Sequence, residues 1–223
     1  MICIVFLNKN TMRIPLFPLQ SVYFPGERVP LHIFEERYKE LIQDCREEAL
    51  TFGIPVYLNN TLVYGTEMVL KEIIKTYETG EMDIICVAKR VFKVITFDRQ
   101  MEGKLYAGGI VEFLDNVVDG TNSQKEKIIG SIKELYQLME VSPKNIPVTS
   151  FNSYTLTHKI GLSLEQEHHL LQLVRESERL RFIQDHLATT IGILREVNRT
   201  KKVIAMNGHF RNFDPLDFKD IEL

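Results

Sequence analysis

Two adjacent histidines, His168 and His169, with Glu165 a turn earlier, are the side chains of this chain that come nearest to a metal-ligand set. A zinc-type ion takes imidazole and carboxylate donors that converge on one point. Neighbours on a helix point about 100° apart, so these two rings do not easily share an ion, and a solvated helix face is the competing reading. The stretch "SPKNIPVTS" (142–150) holds serines and a lysine, but spacing alone does not bring them together. A phosphate-binding loop needs GxxxxGK followed by Ser or Thr, because backbone amides and the lysine must wrap the phosphates, and no such run occurs. "AGGI" at 107–110 lies in a strand pattern and lacks the later glycine of a dinucleotide fingerprint. HExxH and the GxSxG elbow are absent. No catalytic constellation emerges, and neither cofactor nor metal is expected.

The three cysteines, Cys3, Cys45 and Cys86, are far apart and form no CxxC pair, so neither a zinc site nor a disulfide framework is indicated. Cys45 falls on the apolar face of a helix pattern and Cys86 in an apolar strand run. Both read as small core residues in a reducing cytoplasm. Net charge is −3 over 223 residues. A nucleic-acid binder shows a basic excess or stripe, so none is expected as a partner. The short basic groups (Lys89, Arg90 and Lys93; Arg199, Lys201 and Lys202) read as solvated surface. The apolar start "ICIVFL" is too short for a secretory segment, and no later run approaches a membrane span. Residues 1–11 read as an optional first strand or an upstream extension, since Met12 is a second candidate start.

The elements that would carry any site follow from periodicity. "RIPLFPL" and "ERVPLHIF" are extended and proline-interrupted, which suits edge or bulged strands. Between them Pro25 and Gly26 are placed for the central positions of a type II turn. Phe34, Tyr38, Leu41, Ile42, Cys45 and Ala49 form one stripe, predicting a helix over 35–49 with Glu35 and Glu36 in its first turn. "FGIPVYL", "EMVLKEIIKTYE", "MDIICVAKRVFKVITFD" and "KLYAGGIVEFL" are strand-like, with a tight turn at "ETGE". Successive strands with short turns predict an antiparallel sheet or small barrel. From about Asn122 the chain turns helical, with Ile128, Ile129, Ile132, Leu135, Tyr136, Leu138 and Met139 as its stripe. "SPKNIP" breaks it, and a short helix is expected across "TSFNSYTLTHKIG". Ser163 and Gln166 form a capping box that opens a long helix running to about Val203, striped by Leu180, Ile183, Leu187, Ile191 and Leu194. The division expected is a β-barrel part over 1–120, a helical part over 121–205 and a tail over 206–223.

One long composite pattern decides the family. Pro15-Leu16-Phe17-Pro18-Leu19, Val22, Phe24-Pro25-Gly26, Pro30-Leu31-His32-Ile33-Phe34-Glu35, Arg37-Tyr38 and Leu41, then "FGI" at 52–54, resemble the opening of the Lon protease N-terminal, substrate-binding domain. "YGTEMVLKEI" and "TGEMDIICVAKRVFKV" resemble its next strands, with Ala88 where the family usually has Gly and Val91 where it often has Arg. "LSLEQEHHLLQLVRESERLRFIQDHL" resembles its closing helices. The resemblance covers about residues 12–197. It implies an α+β fold: a small PUA-like antiparallel β-barrel with an inserted helix, followed by a helical bundle with a long C-terminal helix. It also implies a stand-alone recognition module without the family's ATPase and serine–lysine peptidase domains.

The implied activity is non-enzymatic and ATP-independent binding of unfolded or partly folded polypeptides, with a protease or chaperone as a candidate partner. An adaptor docking on one fixed protein and an RNA-binding barrel are the alternatives. Phe17, Tyr23 and Phe24 near the proline-rich turn, with Met101 and Tyr106 near a second loop, are the candidate polypeptide contacts. Pro15, Pro18, Pro25, Gly26, His32, Phe34, Glu35, Arg37, Tyr38 and Phe92 are read as structural. Glu35 and Arg37, two apart on an ideal helix, are expected to pair elsewhere. His32 is expected to be a hydrogen-bonded packing residue. Incubation with ATP and casein is expected to give no turnover of either; turnover abolished by a point substitution in this chain would contradict this reading.

Overall fold

The computed structural model describes residues 10–142 and 145–210, with side chains to Met206. Cys3, most of the N-terminal extension, Pro143 and Lys144 of "SPKNIP", and the tail beyond Phe210 lie outside the described residues. The strands are β1 (Thr11–Leu16), β2 (Arg28–Ile33), β3 (Phe52–Leu58), β4 (Thr61–Thr76), β5 (Met82–Val94) and β6 (Ala107–Phe113). The helices are α1 (Glu36–Glu48), α2 (Asn122–Leu138), α3 (Leu164–Gln172) and α4 (Glu176–Phe210). The fold is mixed α+β with one six-stranded sheet in the order β2-β5-β4-β3-β1-β6, and β6 pairs again with β5. Packing divides the described residues into two compact units, one of residues 10–119 with 152–179 and one of 120–142 and 145–151 with 180–210.

The first unit is built on β5, which runs beside β2, β4 and β6. Along it Met82, Ile84, Cys86 and Ala88 are buried at every second position, the period of a pleated strand with one face in a core. The register then slips. Thr66 pairs with Val91 but Met68 with Ala88, so Glu67 faces two residues, Lys89 and Arg90. After this bulge Val91 and Phe92 turn inward, and a second core forms from Phe92, Ile14, Leu16, Val111 and Phe113. Phe92 pairs with Gly65 and Phe113, and Ile84 and Ile85 lie earlier on the same strand.

Prolines occupy informative places. Pro30 lies on β2, which pairs only with β5 and is an edge, as expected. Pro15 is buried on β1, which pairs with β6 on one side and meets β3 on the other, so β1 is not an edge. The β1–β3 contact is parallel, Leu16 to Gly53, a departure from the all-antiparallel expectation. At Gly53 a Cβ would stand 2.7 Å from Phe92 Cζ, so only glycine lets that ring close over the strand. Gly26 has φ +93°, and Glu27 N–H donates to Phe24 O at 3.1 Å, closing the expected turn.

Helix α1 buries Tyr38, Leu41, Ile42 and Cys45. Two members of its expected stripe are exposed: Phe34 lies before the helix, 59% accessible, and Ala49 ends it in the left-handed region. Glu35 is the N-cap with ψ 137°, not a helical residue. Its carboxylate therefore reaches Arg37 Nε at 2.8 Å, the pairing that ideal helix geometry forbids.

The capping box at Ser163 and Gln166 is present, but the helix it opens stops at Gln172. Leu173–Arg175 instead lies beside Val117, whose N–H donates to Val174 O at 3.0 Å while its carbonyl accepts from Glu176 N–H at 2.8 Å. Asp119 caps the next helix, taking Ser177 N–H at 2.8 Å and Arg175 Nε at 2.9 Å. Residues 148–159 form two 3₁₀ turns, Val148–Ser150 and Thr157–Lys159, rather than a short helix.

In the second unit α2 begins at a capping box of Thr121 and Gln124 and buries Ile128, Ile129, Ile132 and Leu135. Helix α4 buries Leu180, Ile183, Leu187 and Ile191. Gln184 meets Ser131, Arg195 meets Glu134 and Asn198 meets the Leu138 carbonyl, so the two helices advance in the same direction.

Removing a fully buried ring leaves a cavity as well as losing its transfer energy. Phe92→Ala is expected to cost about 3–5 kcal/mol, read as a lowered denaturation midpoint. An unchanged midpoint would remove Phe92 from the core.

Candidate functional site

Most residues singled out from sequence turn out to hold the scaffold. Phe17 is buried, its ring stacked on Tyr38 at 3.7 Å between centroids. Phe24 is fully buried against Tyr154 and His158, each ring centroid 5.2 Å away. Tyr106 is buried, and its hydroxyl donates to Asp44 at 2.7 Å. Burial, then that carboxylate, pushes the Tyr106 phenol well above its ordinary range. These three rings are therefore closed to a partner at the surface. Met101 is half-buried against the core, over Gly108. Tyr23 is half-buried and borders a groove. His32 is exposed, hydrogen-bonded to Asp83 at 2.7 Å and in ring contact with Phe34 and Tyr77.

The serine, histidine and cysteine side chains with chemical potential do not assemble into one site. Ser150 Oγ donates to the Pro147 carbonyl at 3.2 Å. His168 accepts at Nδ1 from Gln172 at 3.2 Å, and its Nε2 is buried without a partner; burial lowers its pKa and keeps the ring neutral. Among the described residues no three His, Cys, Asp or Glu side chains group as a metal set. Burial pushes the Cys45 and Cys86 thiols up to about 12, so neither is a thiolate nucleophile near neutral pH. No described helix is long and apolar enough to cross a membrane. Arg90, expected in solvent, donates twice to buried Glu67, at 2.7 and 3.1 Å, and its guanidinium lies 3.6 Å from the Phe113 ring centre.

Among the open grooves of the first unit, two border residues singled out above. The first, of ≈ 650 Å³, lies between the 20–30 segment and the 154–167 segment. His158 sits in its wall between two carboxylates, Nε2 3.0 Å from Glu27 and Nδ1 2.7 Å from Glu167. Both ring nitrogens then donate, which requires the imidazolium. The Glu27 hydrogen bond, helped by Glu167, outweighs partial burial and raises the His158 pKa to about 9. This arrangement ties three chain segments together, a structural task.

The second groove, of ≈ 1000 Å³, is lined by Pro18, Leu19 and Gln20 after β1, Arg37 and Tyr38 of α1, Tyr57, Asn60 and Leu62 of the β3–β4 hairpin, and Phe97, Arg99 and Ala107 around the β5–β6 loop. Tyr57 and Phe97 are exposed, and Pro18, Leu19 and Leu62 half-buried. The loops are held from behind. Tyr57 N–H donates to Leu19 O at 2.7 Å, Asp98 N–H to Gly108 O at 2.7 Å, and Arg13 Nη2 to Asp98 at 2.7 Å. Apolar side chains from four segments thus meet in one concavity with few internal polar demands. Sequence reasoning missed Tyr57, Leu62, Phe97 and Arg99; only Pro18, Arg37 and Tyr38 had been named, as scaffold.

The first unit thus presents loops held from behind around an open groove. Residues 13–189 match the family model described as ATP-dependent protease La (LON) substrate-binding domain, and the chain belongs to that family. Among solved structures it is similar to a Lon N-terminal domain protein from Xanthomonas campestris, 25% identical, with TM-score 0.57, covering 76% of this chain and 95% of that one. The N-terminal domain of Mycobacterium avium complex Lon protease shares the fold at 15% identity and TM-score 0.60, over 79% of this chain and 98% of that one. No curated protein matches the chain in sequence.

Linkage gives the His158 contact a testable sign. The folded pKa of about 9 exceeds the ordinary 6.5, so its stabilisation is complete below pH 6.5 and lost as pH rises through about 9. The melting-temperature gap between wild type and His158→Gln should accordingly be large at about pH 6 and shrink by about pH 10. A gap independent of pH would contradict the charged contact.

Proposed function

We propose that this chain is a non-enzymatic, ATP-independent module that binds unfolded or partly folded polypeptide in the groove around Leu19, Tyr57, Leu62 and Phe97. The observation that carries this reading is the meeting, in one concavity, of exposed Tyr57 and Phe97 with half-buried Pro18, Leu19 and Leu62, from three separate segments. Exposed apolar side chains scattered singly need no explanation, but a rimmed concave cluster supports an interaction site. Family membership supports a polypeptide as its occupant. The return of β6 onto β5 supports reading the sheet as a small PUA-like barrel, whose loops form the groove. Two buried free cysteines, Cys45 and Cys86, fit a reducing cytoplasm.

Recognition here is sequence-tolerant. An unfolded client loses conformational entropy on binding, so affinity per contact area is poor and micromolar or weaker, about −8 kcal/mol or less in magnitude. Apolar contact dominates, so most of the affinity survives added salt.

Titration of a reduced, unfolded model protein tests this reading. Tyr57→Ala and Phe97→Ala are expected to weaken binding about fivefold or more each, on the scale of interface side chains that matter. Exposed as they are, both should leave stability within about 0.5 kcal/mol. No binding at about 100 µM protein would overturn the reading, because a module with a Kd of about 100 µM or tighter is at least half-saturated there. A pull-down returning one stoichiometric partner in place of many clients would favour a fixed-partner adaptor.

A further inference from the structure

We infer that Arg99 reads a carboxylate on the bound segment, so that the groove selects apolar stretches flanked by an acidic residue over those flanked by a neutral or basic one. The inference rests on the polypeptide-binding reading above and adds a charge preference to it. The starting observation is the sign of the lining: two arginines, Arg37 and Arg99, and no aspartate or glutamate, in a chain whose net charge is −3. The groove is locally cationic against an acidic average.

Only one of the two charges is available. Arg37 Nη2 lies 2.7 Å from Glu35, and its guanidinium sits 4.5 Å from the Tyr38 ring centre. Arg99 is exposed, and among the described residues its side chain makes no ion pair or hydrogen bond. Its neighbour Asp98 pairs instead with Arg13, at 2.7 Å. A lone arginine on a flat surface carries little meaning. This one stands two residues from Phe97 in the wall of a concave apolar site, where a bound chain would displace water and strengthen its field. Guanidinium geometry adds selectivity, since a planar fork takes a carboxylate through two parallel hydrogen bonds. A nucleic-acid strand could stack on Tyr57 and Phe97, but it needs several uncommitted cations along its phosphates, and the groove offers one.

The test uses three fluorescent peptides of one apolar, aromatic sequence flanked by Asp, Asn or Lys, titrated against the full chain by anisotropy. Wild type should bind the Asp peptide about two- to fivefold more tightly than the Asn peptide, the range of a partly exposed ion pair, and the Lys peptide least. Arg99→Glu should reverse the order and favour Lys, with its melting transition unchanged. Higher salt should shrink the differences while the common apolar affinity remains. Equal binding of the three peptides, or a preference that Arg99→Glu leaves intact, overturns the inference and leaves the polypeptide-binding reading standing. Failure of all three to bind wild type at about 100 µM removes both. Displacement of the peptides by a single-stranded oligonucleotide, in a strongly salt-dependent manner, also overturns it.

Discussion

Arg179 is the residue on which the first unit's second half depends. It is 2% exposed, so its charge is out of water and must be answered in full. Glu176, itself 3% exposed, supplies the countercharge at 2.9 Å. The remaining hydrogens go to Ser153 Oγ, Asn116 Oδ1 and the carbonyls of Leu173 and Val174, all between 2.7 and 3.0 Å. Every N–H of the guanidinium thus has an acceptor, and its face lies 4.7 Å from the Tyr154 ring centre. Such a pair is weak evidence of net stability, because desolvation offsets much of the attraction. Its consequence is specificity. The acceptors come from three chain segments, so satisfying the buried ion ties those segments together.

That requirement explains the interrupted helix. Carbonyls released where α3 stops are the ones Arg179 takes, and the stretch between α3 and α4 finds its backbone partners on Val117. Without these acceptors and donors, continuing the helix through Leu173–Arg175 would be the natural way to satisfy the backbone. Asp119 then starts α4 from a distant part of the chain. Glu67 and Arg90 repeat the logic on a smaller scale at the β4–β5 bulge, where Thr51 completes the carboxylate's shell.

Features set by neighbours in sequence were readable; features set by distant partners were not. The Gly26 turn, the body of α1 and the capping box at Ser163 each depend on residues within four positions of one another. The break after Gln172 depends on Val117 and Arg179, and the burial of Glu67 on Arg90, so no local period reports them. Phe34 misled because its spacing fits the α1 stripe although the helix starts two residues later. Glu35 misled for the same reason in reverse: one residue outside the helix, it gains the freedom to reach Arg37. The groove was the least legible part. Tyr57 and Phe97 look like ordinary strand and loop residues, and only the fold shows that they share a concavity with Leu19 and Leu62.

The opening motif, so dense in aromatics, supplies little of the binding surface directly. Two of its rings point inward, Phe17 onto Tyr38 and Phe24 onto Tyr154, while Phe34 is exposed. What it contributes outward is backbone. Once Phe17 is anchored, its N–H bonded to Gly53 O at 2.8 Å, the chain leaves β1 with Pro18 and Leu19 set at the groove wall, and Leu19 pairs beside Val56 next to Tyr57. On the proposed reading, a groove made of such pinned pieces is formed before a client arrives, and the ordering cost of binding falls mostly on the client. The division of labour is physical: buried rings and satisfied buried charges fix the loops, and the few side chains those loops leave uncommitted are the ones free to meet another chain.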